Sequence, residues 1–139
     1  YAARLAPEEE ALAARLLARL EAGGFDPPWV RDLARAEGLP EEAVRALLRK
    51  LARRGEAAQV VKDLFYAPRR VRELAAIAAE LAAAAGGVQA ARFRDATGLG
   101  RKRAVQILEF FDRIGYTRRV QRRGQDAHLL RGDAGSVFS

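Results

Sequence analysis

The chain has no cysteine and no methionine, one histidine and one tryptophan. Without thiols there is no disulfide framework, iron–sulfur cluster, thiolate zinc site or cysteine nucleophile. The lone imidazole, His128, has no second ligand near it in sequence, so no metal site is expected. Serine occurs only at Ser136 and Ser139, with no base nearby to activate it. Gly98-Leu99-Gly100 lacks the Gly-Lys-Ser/Thr that a phosphate-binding loop requires. No catalytic set and no cofactor are therefore expected, and the chain reads as a binding module. Apolar runs such as Leu81 to Ala85 fall far short of the ~20 residues that span a bilayer. With no signal peptide read in it, a cytoplasmic protein without membrane association is expected.

What the chain does have is an apolar half and an uneven charge. Its 139 residues are 50% hydrophobic, enough to bury a core, and carry a net charge of +7. Residues 1–68 hold 11 Lys+Arg and 11 Asp+Glu, whereas residues 69–139 hold 14 and 7. The whole surplus lies in the second half. A polyphosphate partner is bound by such a local basic surface rather than by average charge.

Shifted by 60 residues, the sequence partly matches itself. Ala36-Glu37-Gly38-Leu39 falls on Ala96-Thr97-Gly98-Leu99, Leu33 on Phe93, Leu47-Leu48 on Ile107-Leu108, and Leu51 on Phe111. Arg53 and Gly55 fall on Arg113 and Gly115. Two copies of a unit this long indicate two small domains rather than a solenoid of shorter repeats.

Each copy predicts the same order of elements. In the first, a helix opens at Pro7 with Ala11, Leu12, Leu16, Leu17 and Leu20 at helical spacing and stops at Gly23-Gly24. A short helix starts at Pro28, a third helix starts at Pro40, and a hairpin follows over Ala58 to Tyr66. The second copy predicts helices over Val71 to Ala85, Gln89 to Thr97 and Arg101 to Ile114. Its hairpin runs over Tyr116 to Gln121 and Asp126 to Arg131 and turns at Gly124. Three helices with a tight glycine turn before the third, then a two-stranded wing, make a winged helix. The expected fold is mainly α with small β-hairpin wings: two tandem winged helices, 1–67 and 68–139, joined at Ala67-Pro68.

Arg101-Lys102-Arg103 opens the third helix of the second copy. Cations in a first turn oppose the helix dipole by roughly 0.3–1 kcal/mol each where exposed. The first copy has the favourable Glu41, Glu42 and Ala43 in those places. A phosphate at the second helix start would reverse the balance, because the helix amides and the three side chains then attract the same anion. Arg92 and Arg94 on the preceding helix, and Arg118, Arg119, Arg122 and Arg123 on or beside the wing, are expected to extend this surface. His128 is placed on the wing as a further contact of this surface. The wing tip Arg122-Arg123-Gly124 has an alternative reading as a solubilising edge whose charge blocks strand addition. Phe93, Phe111, Tyr116 and Trp29 are assigned to packing, and Asp95 and Asp112 to pairing with neighbouring arginines.

The segment Phe93-Arg94-Asp95 … Thr97-Gly98-Leu99-Gly100-Arg101-Lys102-Arg103-Ala104-Val105 … Leu108-Glu109-Phe110-Phe111-Asp112-Arg113-Ile114-Gly115-Tyr116-Thr117-Arg118 resembles the C-terminal end of the bacterial selenocysteine-specific elongation factor. Members of that family carry four winged helices after a GTPase body, and the last binds the mRNA hairpin that recodes UGA as selenocysteine. Residues 1–67 resemble the third winged helix by position and pattern, and 68–139 the fourth. The resemblance implies that Arg94, Gly100, Arg101 and Lys102 approach the hairpin, with Gly100 permitting close contact. Arg92, Arg103 and the wing arginines extend that set on grounds of charge and geometry. The resemblance further implies a monomer that meets the ribosome indirectly. Upstream GTPase domains would carry selenocysteinyl-tRNA. A DNA-binding winged-helix transcription regulator and a protein-interaction winged-helix pair share the expected fold and remain open alternatives.

Overall fold

The computed structural model describes residues 4–138, in which the chain divides into two units, 1–71 and 72–139. In the first, α1 (Pro7–Ala22), α2 (Val30–Glu37) and α3 (Glu41–Arg53) precede a hairpin of β1 (Ala58–Val61) and β2 (Leu64–Tyr66). In the second, α4 (Pro68–Ala85), α5 (Ala90–Thr97) and α6 (Arg101–Arg113) precede β3 (Thr117–Arg122) and β4 (Gln125–Leu130). Both hairpins are antiparallel. Two tandem winged helices are thus present. The division between them falls in the first turn of α4, between Val71 and Arg72, whereas Ala67-Pro68 marks the start of that helix.

The 60-residue offset is exact where the two units are most alike. Helices α2 and α5 superpose in number, as do α3 and α6. Gly38 and Gly98 end the shorter helices at φ +66° and +75°, a left-handed conformation that a Cβ disfavours. The amide of Glu56 donates to the Leu51 carbonyl at 2.8 Å, and that of Tyr116 to the Phe111 carbonyl at 2.9 Å.

In the first unit Leu16 and Leu20 of α1, Leu33 of α2, and Leu48 and Leu51 of α3 close over Phe65 of the hairpin. Ala13 rather than Ala11 lies on the buried face of α1. Glu9 reaches back to the Ala6 amide at 3.0 Å and takes one of the donors that α1 leaves unpaired. Helix α2 begins at Val30, not at Pro28, because Trp29 is extended at φ −70° and ψ 161°; the free Val30 amide is taken by the carbonyl of Asp63 in the hairpin turn.

The second unit is built around an aromatic cluster. Phe93 meets Phe111 edge-on at 6.5 Å, and Phe111 meets Tyr116 at 5.3 Å, within the range of favourable ring contacts. Phe138 lies 5.2 Å from Tyr116 and 6.3 Å from Phe111, following a 3₁₀ turn over Ala134–Ser136. The tail therefore returns to the core. Tyr116 donates its hydroxyl to the Ala75 carbonyl at 3.0 Å, and burial pushes its pKa up. Packing accounts for Phe93, Phe111 and Tyr116. Trp29 is only half-buried and lines a small cleft with Arg31, Glu41 and Asp63.

Candidate nucleic-acid interface

The turn into α6 carries its own hydrogen bonds. Thr97 donates its hydroxyl to the Phe93 carbonyl at 2.7 Å and accepts the Leu99 amide at 3.4 Å. Gly100 caps α6 in an extended conformation, φ −71° and ψ 160°, with no side-chain hydrogen bond to the first amides. A Cβ at Gly100 would meet nothing within 4 Å. Neither backbone conformation nor packing inside the protein calls for glycine there, and Gly100 itself is exposed.

Arg101 and Lys102 follow, both exposed, and neither meets a carboxylate among the described residues. Arg103 is half-buried and engaged within the protein. Arg94 pairs with Asp95 at 3.0 Å, an exposed contact worth little that a phosphate can displace. Arg92 is exposed on the same helix.

The wing arginines do not form one surface with α6, because the pleat divides them. Side chains alternate across a strand. Arg119 and Gln121, with Asp126 and His128 across the ladder, face a cleft of about 500 Å³ that also takes in Arg101, Val105 and Glu109 of α6. Arg118 and Arg122 point the other way, and the Arg122 guanidinium passes 3.5 Å from where a Cβ on Gly86 would stand. Arg123 sits at the turn with φ +53°, uncommon for a residue other than glycine, asparagine or aspartate. Only Arg119 stands with Arg101 on the cleft.

His128, expected to touch RNA from the wing, is 5% exposed and lines the cleft with a nearly buried ring. Its Nδ1 lies 2.9 Å from Asp112 Oδ2, so Asp112 serves the imidazole rather than a neighbouring arginine. Asp95 does pair with an arginine. Among the described residues no group of three or more His, Cys, Asp or Glu could hold a metal ion.

The first unit answers the same geometry differently. Arg45, the counterpart of Val105, binds Asp63 in the hairpin turn through two bonds of 2.6 and 2.9 Å and takes Glu42 at 2.6 Å. Its helix start is thus neutralised from within. The Arg45 guanidinium holds the Asp63 carboxyl below its ordinary value and has its own pKa raised in return. Arg15 and Arg19 likewise depress Glu37. A depressed carboxylate stabilises the fold above its unfolded pKa, and that contribution is lost as pH falls through the folded value. The first unit should therefore soften below about pH 4. Thermal melts followed by Trp29 fluorescence, which reports this unit, should show the midpoint falling, and Asp63→Asn should lower it at neutral pH and flatten its acid dependence.

Comparison with known proteins matches both units. Residues 6–66 match the family described as selenocysteine-specific elongation factor, winged helix domain, and residues 79–124 that described as elongation factor SelB, winged helix. The selenocysteine-specific elongation factor of Escherichia coli is 50% identical over 108 residues, which are 78% of this chain and 17% of that protein. That of Haemophilus influenzae is 33% identical over 124 residues, 89% of this chain and 19% of that protein. The chain thus spans less than a fifth of these relatives' length. A solved structure, the mRNA-binding domain of elongation factor SelB from E. coli in complex with SECIS RNA, is similar at a TM-score of 0.79 and 44% identity. The match covers 91% of this chain and 99% of that one.

Proposed function

We infer the function from family: the chain belongs to the winged-helix family of the selenocysteine-specific elongation factor SelB, and its second unit grips the mRNA hairpin that marks a UGA codon for selenocysteine. The observation that carries this reading is the start of α6, where two exposed cations that meet no carboxylate among the described residues stand beside amides with no side-chain cap. Arg94, Gly100, Arg101 and Lys102 approach the hairpin backbone and loop. Arg92 and Arg103 flank them, Arg119 adds a contact across the cleft, and Arg118, Arg122 and Arg123 reach only RNA that passes the wing's other face. The deep, narrow major groove of A-form RNA excludes a reading helix, so gripping phosphates around an exposed loop suits this surface better than base readout along a duplex. His128 supports the wing from beneath.

On this reading the chain is a tether and not an enzyme, works as a monomer without a cofactor, and acts in the cytoplasm. No helix among the described residues is long and apolar enough to cross a membrane. GTP hydrolysis and selenocysteinyl-tRNA binding belong to upstream domains, which the tether brings to the ribosome. Titration against a selenocysteine-insertion hairpin, a scrambled hairpin and duplex DNA tests the assignment. The native hairpin should bind at least about tenfold tighter than the other two. Equal or tighter binding of duplex DNA would restore the transcription-regulator alternative, and indifference to all three would favour a protein partner.

A further inference from the structure

The two wings are fastened by different physics. In the first unit Val60, Leu64, Phe65 and Tyr66 of the hairpin are buried, so apolar packing holds its strands down, and polar bonds fasten it at the Asp63 turn and at the Tyr66 hydroxyl. In the second, the buried residues of β3 and β4 are Thr117, Ala127 and His128, at 1%, 4% and 5% exposure. Two of those three are polar, and both bind the same carboxylate. Thr117 donates its hydroxyl to Asp112 Oδ1 at 2.7 Å, and the His128 imidazole approaches the two Asp112 oxygens at 3.0 and 2.9 Å. The His128 backbone also pairs in both directions with Val88, ahead of α5, at 2.9 Å. Asp112 stands in the last turn of α6, where the helix dipole disfavours a negative charge. A residue retained against its own helix needs a compensating role.

We propose that Asp112, Thr117 and His128 are positioning residues that fix the angle of the wing on α6, holding Arg119 across the cleft from Arg101 so that the two engage one RNA backbone together. Apolar burial is non-directional, whereas a carboxylate with two buried donors specifies direction. Arg119 is the cross-strand partner of His128, so the joint sits directly under the side chain it aims. The helix start itself does not depend on the joint: Arg101 lies three helical turns from Asp112 and is set by the Thr97–Gly100 turn.

The inference rests on the RNA-binding reading, and a double-mutant cycle on the whole chain separates the two. Hairpin affinity is measured for Arg119→Gln and for Arg101→Gln, each in the native background and with Thr117→Val, which removes one bond at nearly constant volume. Arg119→Gln should weaken native binding by at least about threefold and reduce the salt slope by about 1. With Thr117→Val present its effect should shrink by about threefold or more, the size of coupling expected within one network. Arg101→Gln should cost the same in both backgrounds, and Thr117→Ser should restore native coupling. Equal costs of Arg119→Gln in the two backgrounds would reduce the joint to a structural fastening, and no cost in either would remove Arg119 from the interface. Either result overturns the proposal while leaving hairpin binding intact. Failure of the native chain to bind any hairpin would overturn the RNA-binding reading instead. Asp112→Ala should repeat the Thr117→Val result more strongly. Circular dichroism melts identify a loss caused by unfolding, in which case Thr117→Val alone decides.

Discussion

A chain carrying Arg101→Glu and Lys102→Glu should lose hairpin affinity by about 100-fold or more while folding as well as before. Each cation given up removes a charge-assisted contact worth about 1.5 kcal/mol or more, and the new carboxylates add repulsion. In the free protein the same change places negative charge where the α6 dipole favours it, as Glu41 and Glu42 do on α3. Stability should therefore stay level or rise, by roughly 0.5–2 kcal/mol for the pair. Thermal melting and a filter-binding titration on one preparation test both halves. A drop in stability would make these cations structural, but the nearby carboxylates are otherwise engaged, Asp95 with Arg94 and Asp112 with His128 and Thr117. Retained binding would move the RNA away from α6.

Raising salt from 50 to 200 mM should weaken hairpin binding by about 60- to 1,000-fold, a slope of about −3 to −5 in log K against log[salt]. That slope corresponds to four to six phosphate contacts, which Arg94, Arg101, Lys102 and Arg119 with up to two flanking arginines would supply. Isotherms at four salt concentrations measure it directly. A slope near zero would contradict a phosphate grip whatever the affinity. The first unit should contribute little to the slope, because its corresponding helix start carries Glu41 and Glu42 and its Arg45 is already held by Asp63.

Most of the fold was legible because its punctuation is local. Gly38 and Gly98 end helices through their own backbone conformation, and α6 begins at Arg101 as its sequence suggests. The basic helix start was legible for the same reason: charge in a first turn needs no tertiary information. What escaped depends on distant partners. The start of α2 follows an extended Trp29, and its first amide is met by the Asp63 carbonyl, 33 residues onward. Asp112 has Arg113 beside it in sequence, yet its partner is His128, brought back by the hairpin. The tail from Arg131 has no periodicity, and its order comes from rings in α6 and at the entrance to β3. The split of the wing arginines was available from period-two alternation. Counting charges along the strand concealed it.

Phe138 also sets a timetable. The first unit has all its core residues once Ala67 has been added. Domains form in order as a chain emerges at about 5–20 residues per second, so this half can settle while its neighbour is still being translated. The second half waits longer. Its cluster of Phe93, Phe111 and Tyr116 lacks its last ring until residue 138 is in place. A nascent chain halted within the wing would display the cations of α6 on an unfinished scaffold, so the surface around Arg101 gains its full support only after the last ring of the cluster has been added.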